Sequence, residues 1–365
     1  MKKDFFGDSA IKYPAYEPWI SKDDKKIVNK VLGQNMLTLG PQLERFERDF
    51  SKYTKSKYAV AVSNCTAALH LSLKALGIGK KDEVVIPDLT FVADANAILA
   101  CNARPVIADI NKNNFFLSIS NLKKNITKKT KAIIPVHIYG QVCNIEEVLD
   151  VARDYNLKII EDCAHAIGTF HNSRHVGTIG HTGCFSFYPT KNMTVGGDGG
   201  MVTTNNEDVA KTIISLRDNG RQTQSEHDKL GYTMRLNTIN AAIGRVQLKQ
   251  LDHMNSKRRE IAQIYKKNIG EENFLIENSN GVSVYHQIVL KHENRDKIIE
   301  YLKKNEIGYA VHYSIPIHKQ PLYLSYGFNL QKSEKFSSQI LSLPSYPSLP
   351  HENIKIICEK INDII

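Results

Sequence analysis

Lys191 lies in FSFYPTKN, hemmed by aromatic and small residues, with Ser186 before it and the glycine-rich GGDGG after it. Burial disfavours an ammonium group and lowers its pKa, and an amine freed in this way can add to a carbonyl. Taken alone, a lysine on a solvent-facing loop explains the segment equally well. Two further stations precede it. The β-rich KYAVAVS runs through Asn64, Cys65 and Thr66 straight into a helical pattern. Free N–H groups and a hydroxyl at such a junction can cradle a phosphate, although small polar residues cap most helices that follow strands. LKIIED then ends on Glu161 and Asp162, which puts a carboxylate at the carboxyl edge of a strand. In that order, a phosphate cradle, an aspartate and a Ser-x4-Lys loop meet the needs of pyridoxal 5'-phosphate (PLP). Its phosphate needs donors, its pyridine nitrogen a carboxylate to stay protonated, and its aldehyde a lysine.

Residues 58–204 supply the scaffold that must hold these stations. The β-rich runs KYAVAVS, EVVIP, RPVIADI, KAIIPV, LKIIED, CFSFYP and GMVTT alternate with helical patterns such as TAALHLSLKALGI, FVADANAILACN and NIEEVLDVARDYN. Alternation of this kind implies parallel crossovers. The expected fold is α/β: a large domain with a mostly parallel sheet of the seven-stranded type, helices on both faces, and the ligand site in the loops at the carboxyl ends of the strands. Ile239, Ala242, Ile243, Val246, Leu248 and Leu251 recur at near-helical intervals and predict one long helix over 235–268. That helix links the large domain, 1–250, to a smaller α+β domain, 251–365. In the latter, VYHQIVL reads as a strand, NRDKIIEYLKKNEI as an amphipathic helix capped by Asn294, and HENIKIICEKINDII as another helix.

Seven segments carry a resemblance that covers nearly the whole chain. They are LTLGPQLERFERDF, SNCTAALHLSLKALGIGKKDEVVIPDLTFVADANAI, PVHIYGQ, IIEDCAHAIG, FSFYPTKNMTVGGDGG, NTINAAIGRVQLKQLD, and HYSIPIHKQPLY with LSLPSYPSLP. In this order they resemble the DegT/DnrJ/EryC1/StrS family of sugar aminotransferases, a branch of the fold-type I, aspartate aminotransferase-like PLP enzymes. The resemblance implies that Lys191 is the Schiff-base lysine and proton shuttle, and that Asp162 pairs with the pyridinium nitrogen. It places His165 near the cofactor's phenolic oxygen, makes Ser186, Cys65 and Thr66 the phosphate-binding set, and stacks Phe91 on the ring. His312, Tyr313 and His318 match the segment that lines the sugar-nucleotide pocket. The implied reaction passes an amino group from L-glutamate to the C3 or C4 keto group of a sugar on UDP, dTDP or GDP, in a homodimer with shared active sites. Two positions depart from the pattern. Where the family has an Asn that reaches the neighbouring subunit's cofactor phosphate, within G-Y-N-x-R, this chain has Thr233 in Gly231-Tyr232-Thr233-Met234-Arg235. Asp94 stands where many relatives carry a small or hydroxyl residue.

The bulk composition fits an enzyme of this kind. The chain has 365 residues, 42% hydrophobic and 24% charged, long enough for two domains and ordinary for a globular protein. It holds no run of about 18 apolar residues, as a membrane span requires. Asp4 and Asp8 interrupt any signal-peptide pattern, so a cytoplasmic protein is expected. Cysteines are scattered without a CxxC pair, which implies reduced core residues and no disulfide framework. The net charge of +10 is spread over pairs such as Lys80-Lys81 and Lys128-Lys129 interleaved with acids, a solvated surface and not a nucleic-acid face. His165, His171, His175 and His181 fit no compact zinc spacing, so no metal is expected. A non-catalytic regulator of the same fold, binding ligand or DNA, has no physical need of Lys191, Asp162 and Ser186 together. A cyclitol aminotransferase would keep all three, whereas dehydratases of the family carry His in place of the lysine.

Overall fold

The computed structural model describes residues 11–112, 114–278 and 280–365; Asp4 and Asp8 lie outside them. The apolar runs form strands β1 (Tyr58–Val62), β2 (Glu83–Pro87), β3 (Arg104–Ala108), β4 (Thr130–Ile133), β5 (Lys158–Asp162), β6 (Thr182–Ser186) and β7 (Gly200–Thr204). They make one seven-stranded sheet in the order β1-β7-β6-β5-β4-β2-β3. Strand β7 is antiparallel to both neighbours, and the remaining pairs are parallel. The helices before and between the strands are α1 (Lys22–Leu32), α2 (Pro41–Thr54), α3 (Cys65–Ala75), α4 (Ala93–Ala100), α5 (Ile119–Asn125), α6 (Ile145–Asp154) and α7 (Glu207–Arg217).

Near-continuous apolar strands are stable only when both faces are covered, and here they are. Successive residues of a strand point to opposite faces, so β1 sends Ala59 and Ala61 to one core and Val60 and Val62 to the other. The first core packs Phe46 and Phe50 of α2 against Phe185 and Phe187, with ring centroids 5.1–5.7 Å apart. The second packs Leu69, Leu71 and Leu73 of α3 over the central strands. All six cysteines are free and buried, and among the described residues no helix is long and apolar enough to cross a membrane.

The long helix forms as α8 (Thr238–Ile269), opened by Asn237, whose side chain accepts the Asn240 N–H at 2.9 Å. The expected division at 250/251 falls inside this unbroken helix. Its first half lies on α1 and α2, while Ile261, Ala262 and Tyr265 belong to the C-terminal core. That core also takes Tyr13, whose backbone bridges to Ile307, so residues near the start of the chain pack with the end of it. The C-terminal part holds the antiparallel pair β8 (Ile288–Lys291) and β9 (Ile340–Leu343) with α9 (Arg295–Lys304), α10 (Gln331–Gln339) and α11 (His351–Asn362). Asn294 does stand at the N-cap of α9, but its side chain makes no capping hydrogen bond there.

Candidate active site

Strands β5 and β6 are parallel neighbours, so Asp162 and Ser186, their last residues, emerge at the same sheet edge. Helix α3 begins at that edge, with Cys65 Sγ 4.0 Å from Asp162 Oδ1. Asn64 Oδ1 accepts the Ala67 N–H at 2.8 Å, leaving the first-turn amides of Cys65 and Thr66 without an intrahelical acceptor, as at any helix start. The Thr66 side chain is exposed beside them. Strand β7 closes on this turn through Gly200, where a Cβ would lie 2.5 Å from the Asn64 carbonyl carbon and 2.9 Å from the Cys65 nitrogen. Backbone cannot yield to that contact. Gly200→Ala is therefore expected to displace the start of α3 and to weaken PLP binding by about tenfold or more, with about 1–3 kcal/mol of lost stability; PLP titration beside thermal melting measures both.

Lys191 sits on the loop after β6, its N–H bonded to the Tyr188 carbonyl at 2.8 Å. The next residue anchors the loop: Asn192 donates to Asn255 Oδ1 at 2.8 Å and to the Val284 carbonyl at 3.0 Å, and its Oδ1 lies 3.1 Å from His286 Nδ1. Burial lowers the Lys191 pKa to about 8, against the raising pull of Asp162 and Cys65. Burial also raises the Asp162 carboxyl, which the Ala164 N–H at 2.8 Å and Lys191 oppose.

Around this pair stand imidazoles that cannot compete for charge. His165 is held well below its ordinary pKa by burial, then by Lys191 and His312. Its Nδ1 accepts the Tyr139 N–H at 3.1 Å, so the neutral ring carries its proton on Nε2, as a donor. His312 is lowered to about 4 by burial and Lys191, and His286 lies well below the usual range for the same first reason. The His165 and His286 ring centroids are 4.3 Å apart. Tyr313 completes the wall, with its hydroxyl 3.4 Å from His165 Nε2.

Most of the sequence-expected residues thus converge on one edge: Lys191, Asp162, Cys65, Thr66, Ser186, His165, His312 and Tyr313. Phe91, 59% exposed just before α4, leaves its ring open to a stacking partner. Thr233 lies apart on an exposed stretch, its hydroxyl donating to Asn219 Oδ1 at 3.1 Å. His171, His175 and His181 disperse to separate partners, Glu146, Gly168 and Ile159. Glu161, sent to the opposite face from Asp162, accepts the Gly177, Ile179 and Gly180 N–H groups and pairs with His137 at 3.0 Å, which makes it a structural acid. The sequence missed His286, Asn192 and Tyr139. An isolated polar pair inside the apolar VYHQIVL was the available signal for the first.

His318 requires a correction. It is 2% exposed and both ring nitrogens are committed, Nδ1 to Asp88 Oδ2 at 2.6 Å and Nε2 to Glu334 Oε1 at 3.1 Å. It ties the end of β2 to α10 and has no nitrogen free for a sugar nucleotide. Burial opposes its charge, but Asp88 and Glu334 outweigh that and raise its pKa above 6.5. The stability it contributes is complete below its unfolded pKa and fades as pH climbs through the raised one. His318→Gln is expected to lower stability by about 2 kcal/mol near pH 6, with the gap to wild type narrowing toward pH 9 in melting curves.

Comparison with known proteins places the chain in a family. Residues 18–362 match the DegT/DnrJ/EryC1/StrS aminotransferase family. The chain is 37% identical to GDP-perosamine synthase of Escherichia coli O157:H7, over 96% of this chain and 98% of that protein. It is 36% identical to the dTDP-3-amino-3,6-dideoxy-alpha-D-galactopyranose transaminase of Aneurinibacillus thermoaerophilus, over 93% and 95%. The crystal structure of DesV from S. venezuelae in complex with a ketimine intermediate superposes with a TM-score of 0.91 at 31% identity, covering 93% of this chain and 94% of that one. With the lysine, the aspartate and the helix start in register at one sheet edge, the chain belongs to the DegT/DnrJ/EryC1/StrS aminotransferase family.

Proposed function

We propose that this protein is a PLP-dependent aminotransferase that moves an amino group from L-glutamate to a nucleotide-linked keto-sugar. The observation that carries the reading is Lys191, an amine that burial lowers to about 8, beside the buried Asp162 at the end of β5 and Cys65 at the start of α3. The residues present fit the cofactor's chemistry, with an aldehyde partner in Lys191, an acid in Asp162 and a cradle at Cys65 and Thr66 that Gly200 keeps open. When bound, PLP supplies the electron sink that lets the substrate carbon give up its proton.

The chain's own groups do the rest. Lys191 Nζ, whose pKa burial lowers to about 8, would hold the cofactor's aldehyde and would carry the proton that leaves the substrate carbon. Asp162 would keep the ring nitrogen protonated, and the α3 amides with Ser186 and Thr66 would hold the phosphate at the positive end of the helix. Phe91 would provide the stacking face, and His165 Nε2–H would donate toward the phenolic oxygen. Neutral His312 and Tyr313 line the approach for the sugar nucleotide without adding a charge that would oppose Lys191 protonation changes. We assign Thr233 to the phosphate of a second subunit in a homodimer, where its hydroxyl would exchange its bond to Asn219 for one to the phosphate.

The relatives named for GDP- and dTDP-linked sugars support the substrate class. The test is 2-oxoglutarate release from glutamate, with nucleotide keto-sugars bearing the ketone at C3 or C4 and a keto-cyclitol as separate acceptors. Turnover with a nucleotide keto-sugar alone supports the reading. Turnover with the cyclitol alone, or with none of them, overturns it.

A further inference from the structure

Asp94, in the first turn of α4, is fully buried. Its Oδ2 accepts the Thr90 hydroxyl at 2.6 Å, while its Oδ1 has no donor among the described residues. A buried carboxylate oxygen stripped of water and given no donor is strongly unfavourable. Its side chain lies within hydrogen-bonding reach of another acid, Asp162. The other titratable groups that feel Asp94 are the thiols of Cys65 and Cys184 and the phenol of Tyr313, none of them a cation. Lys191 acts on Asp162 and Cys65 instead. Two carboxyls buried together without a cation between them do not both ionise. One proton on Asp94 Oδ1 resolves both difficulties, because it turns the orphaned acceptor into a donor and removes the like-charge repulsion.

We propose that Asp94 is a positioning residue for the cofactor, a carboxylic acid kept neutral whose Oδ1–H donates to Asp162, so that the pair presents a single negative charge to the ring nitrogen. The inference rests on the reading of Asp162 as the partner of that nitrogen. Held in this way, Asp162 keeps one orientation and stays ionised when the cofactor binds. The Ala164 N–H and the Cys65 thiol both donate to Asp162 Oδ1, so a further donor has a distinct job to do.

The experiment compares wild type, Asp94→Asn and Asp94→Ala by equilibrium dialysis with PLP and by thermal melting of the cofactor-free proteins as pH is varied. Asparagine keeps a donor at the position and alanine does not. Asp94→Asn is expected to hold PLP within about twofold of wild type, and Asp94→Ala to bind about tenfold more weakly, the scale of one hydrogen bond to a charged group. A carboxyl whose folded pKa is raised loses stability as pH climbs above its unfolded value. Wild-type apoprotein should therefore melt lower as pH rises from about 5 to 8, and both variants should show a shallower fall. Equal weakening in both variants would mean an ionised Asp94 and overturn the proposal, as would no change in either. If wild type itself binds no PLP, the functional reading fails together with the cofactor role; if wild type binds and the variants do not separate, the proposal alone fails.

Discussion

Lys191→Ala is expected to abolish turnover, lowering kcat by about 10³-fold or more, because the proposed function makes the residue both the attachment point and the proton carrier. Lys191→Arg should fail to the same degree, since a guanidinium does not give up its proton near neutral pH. The fold should survive both changes. Burial holds the Lys191 pKa at about 8 against an ordinary 10.5, so below about pH 8 the folded apoprotein bears the full penalty of a desolvated ammonium. That penalty is relieved as pH rises between the two values, where the unfolded chain binds more protons than the folded one. Cofactor-free Lys191→Ala should accordingly be more stable than wild type at neutral pH by about 1–3 kcal/mol, with the advantage shrinking above pH 8 in melting curves.

The second large effect is assigned to Asp162. Asp162→Asn keeps the shape but replaces an anionic acceptor with an amide that cannot hold a proton on the ring nitrogen. The expected result is a loss of about 10²–10⁴-fold in the rate of reaction with glutamate in a single turnover. The visible absorbance of lysine-bound cofactor should persist in this variant and vanish in Lys191→Ala, which separates an electronic role from an attachment role. Retention of full single-turnover rate in Asp162→Asn would remove Asp162 from the reaction.

The division between what the sequence disclosed and what it hid follows from distance along the chain. Strands such as YAVAV and EVVIP are short buried apolar runs bounded by helix starts and turns, so their places were legible. The direction of β7 was not, because GMVTT pairs equally well either way and only the crossing between β1 and β6 decides it. Asp162 and Cys65 were legible because one ends a strand and the other starts a helix, and Lys191 because it lies on the loop that follows a strand, the positions where an α/β sheet builds its ligand site. His318 misled because it follows His312 and Tyr313 closely in sequence, whereas its carboxylate partner Asp88 comes from the far end of β2. Asp94 stood out as an unexpected acid, but only the fold brings its side chain to that of Asp162 at the end of β5. Tyr139 and Tyr313, both at φ 58°, carry a left-handed backbone rarely used by bulky residues, which no residue-type pattern announces.

The most direct test of the central claim is the absorbance spectrum of the PLP-loaded protein, recorded before and after glutamate and then after a nucleotide keto-sugar. The account predicts a visible band that depends on Lys191, is bleached by glutamate, and is restored by the keto-sugar. A band that glutamate leaves unchanged, or no band in the wild-type protein at saturating PLP, would contradict it.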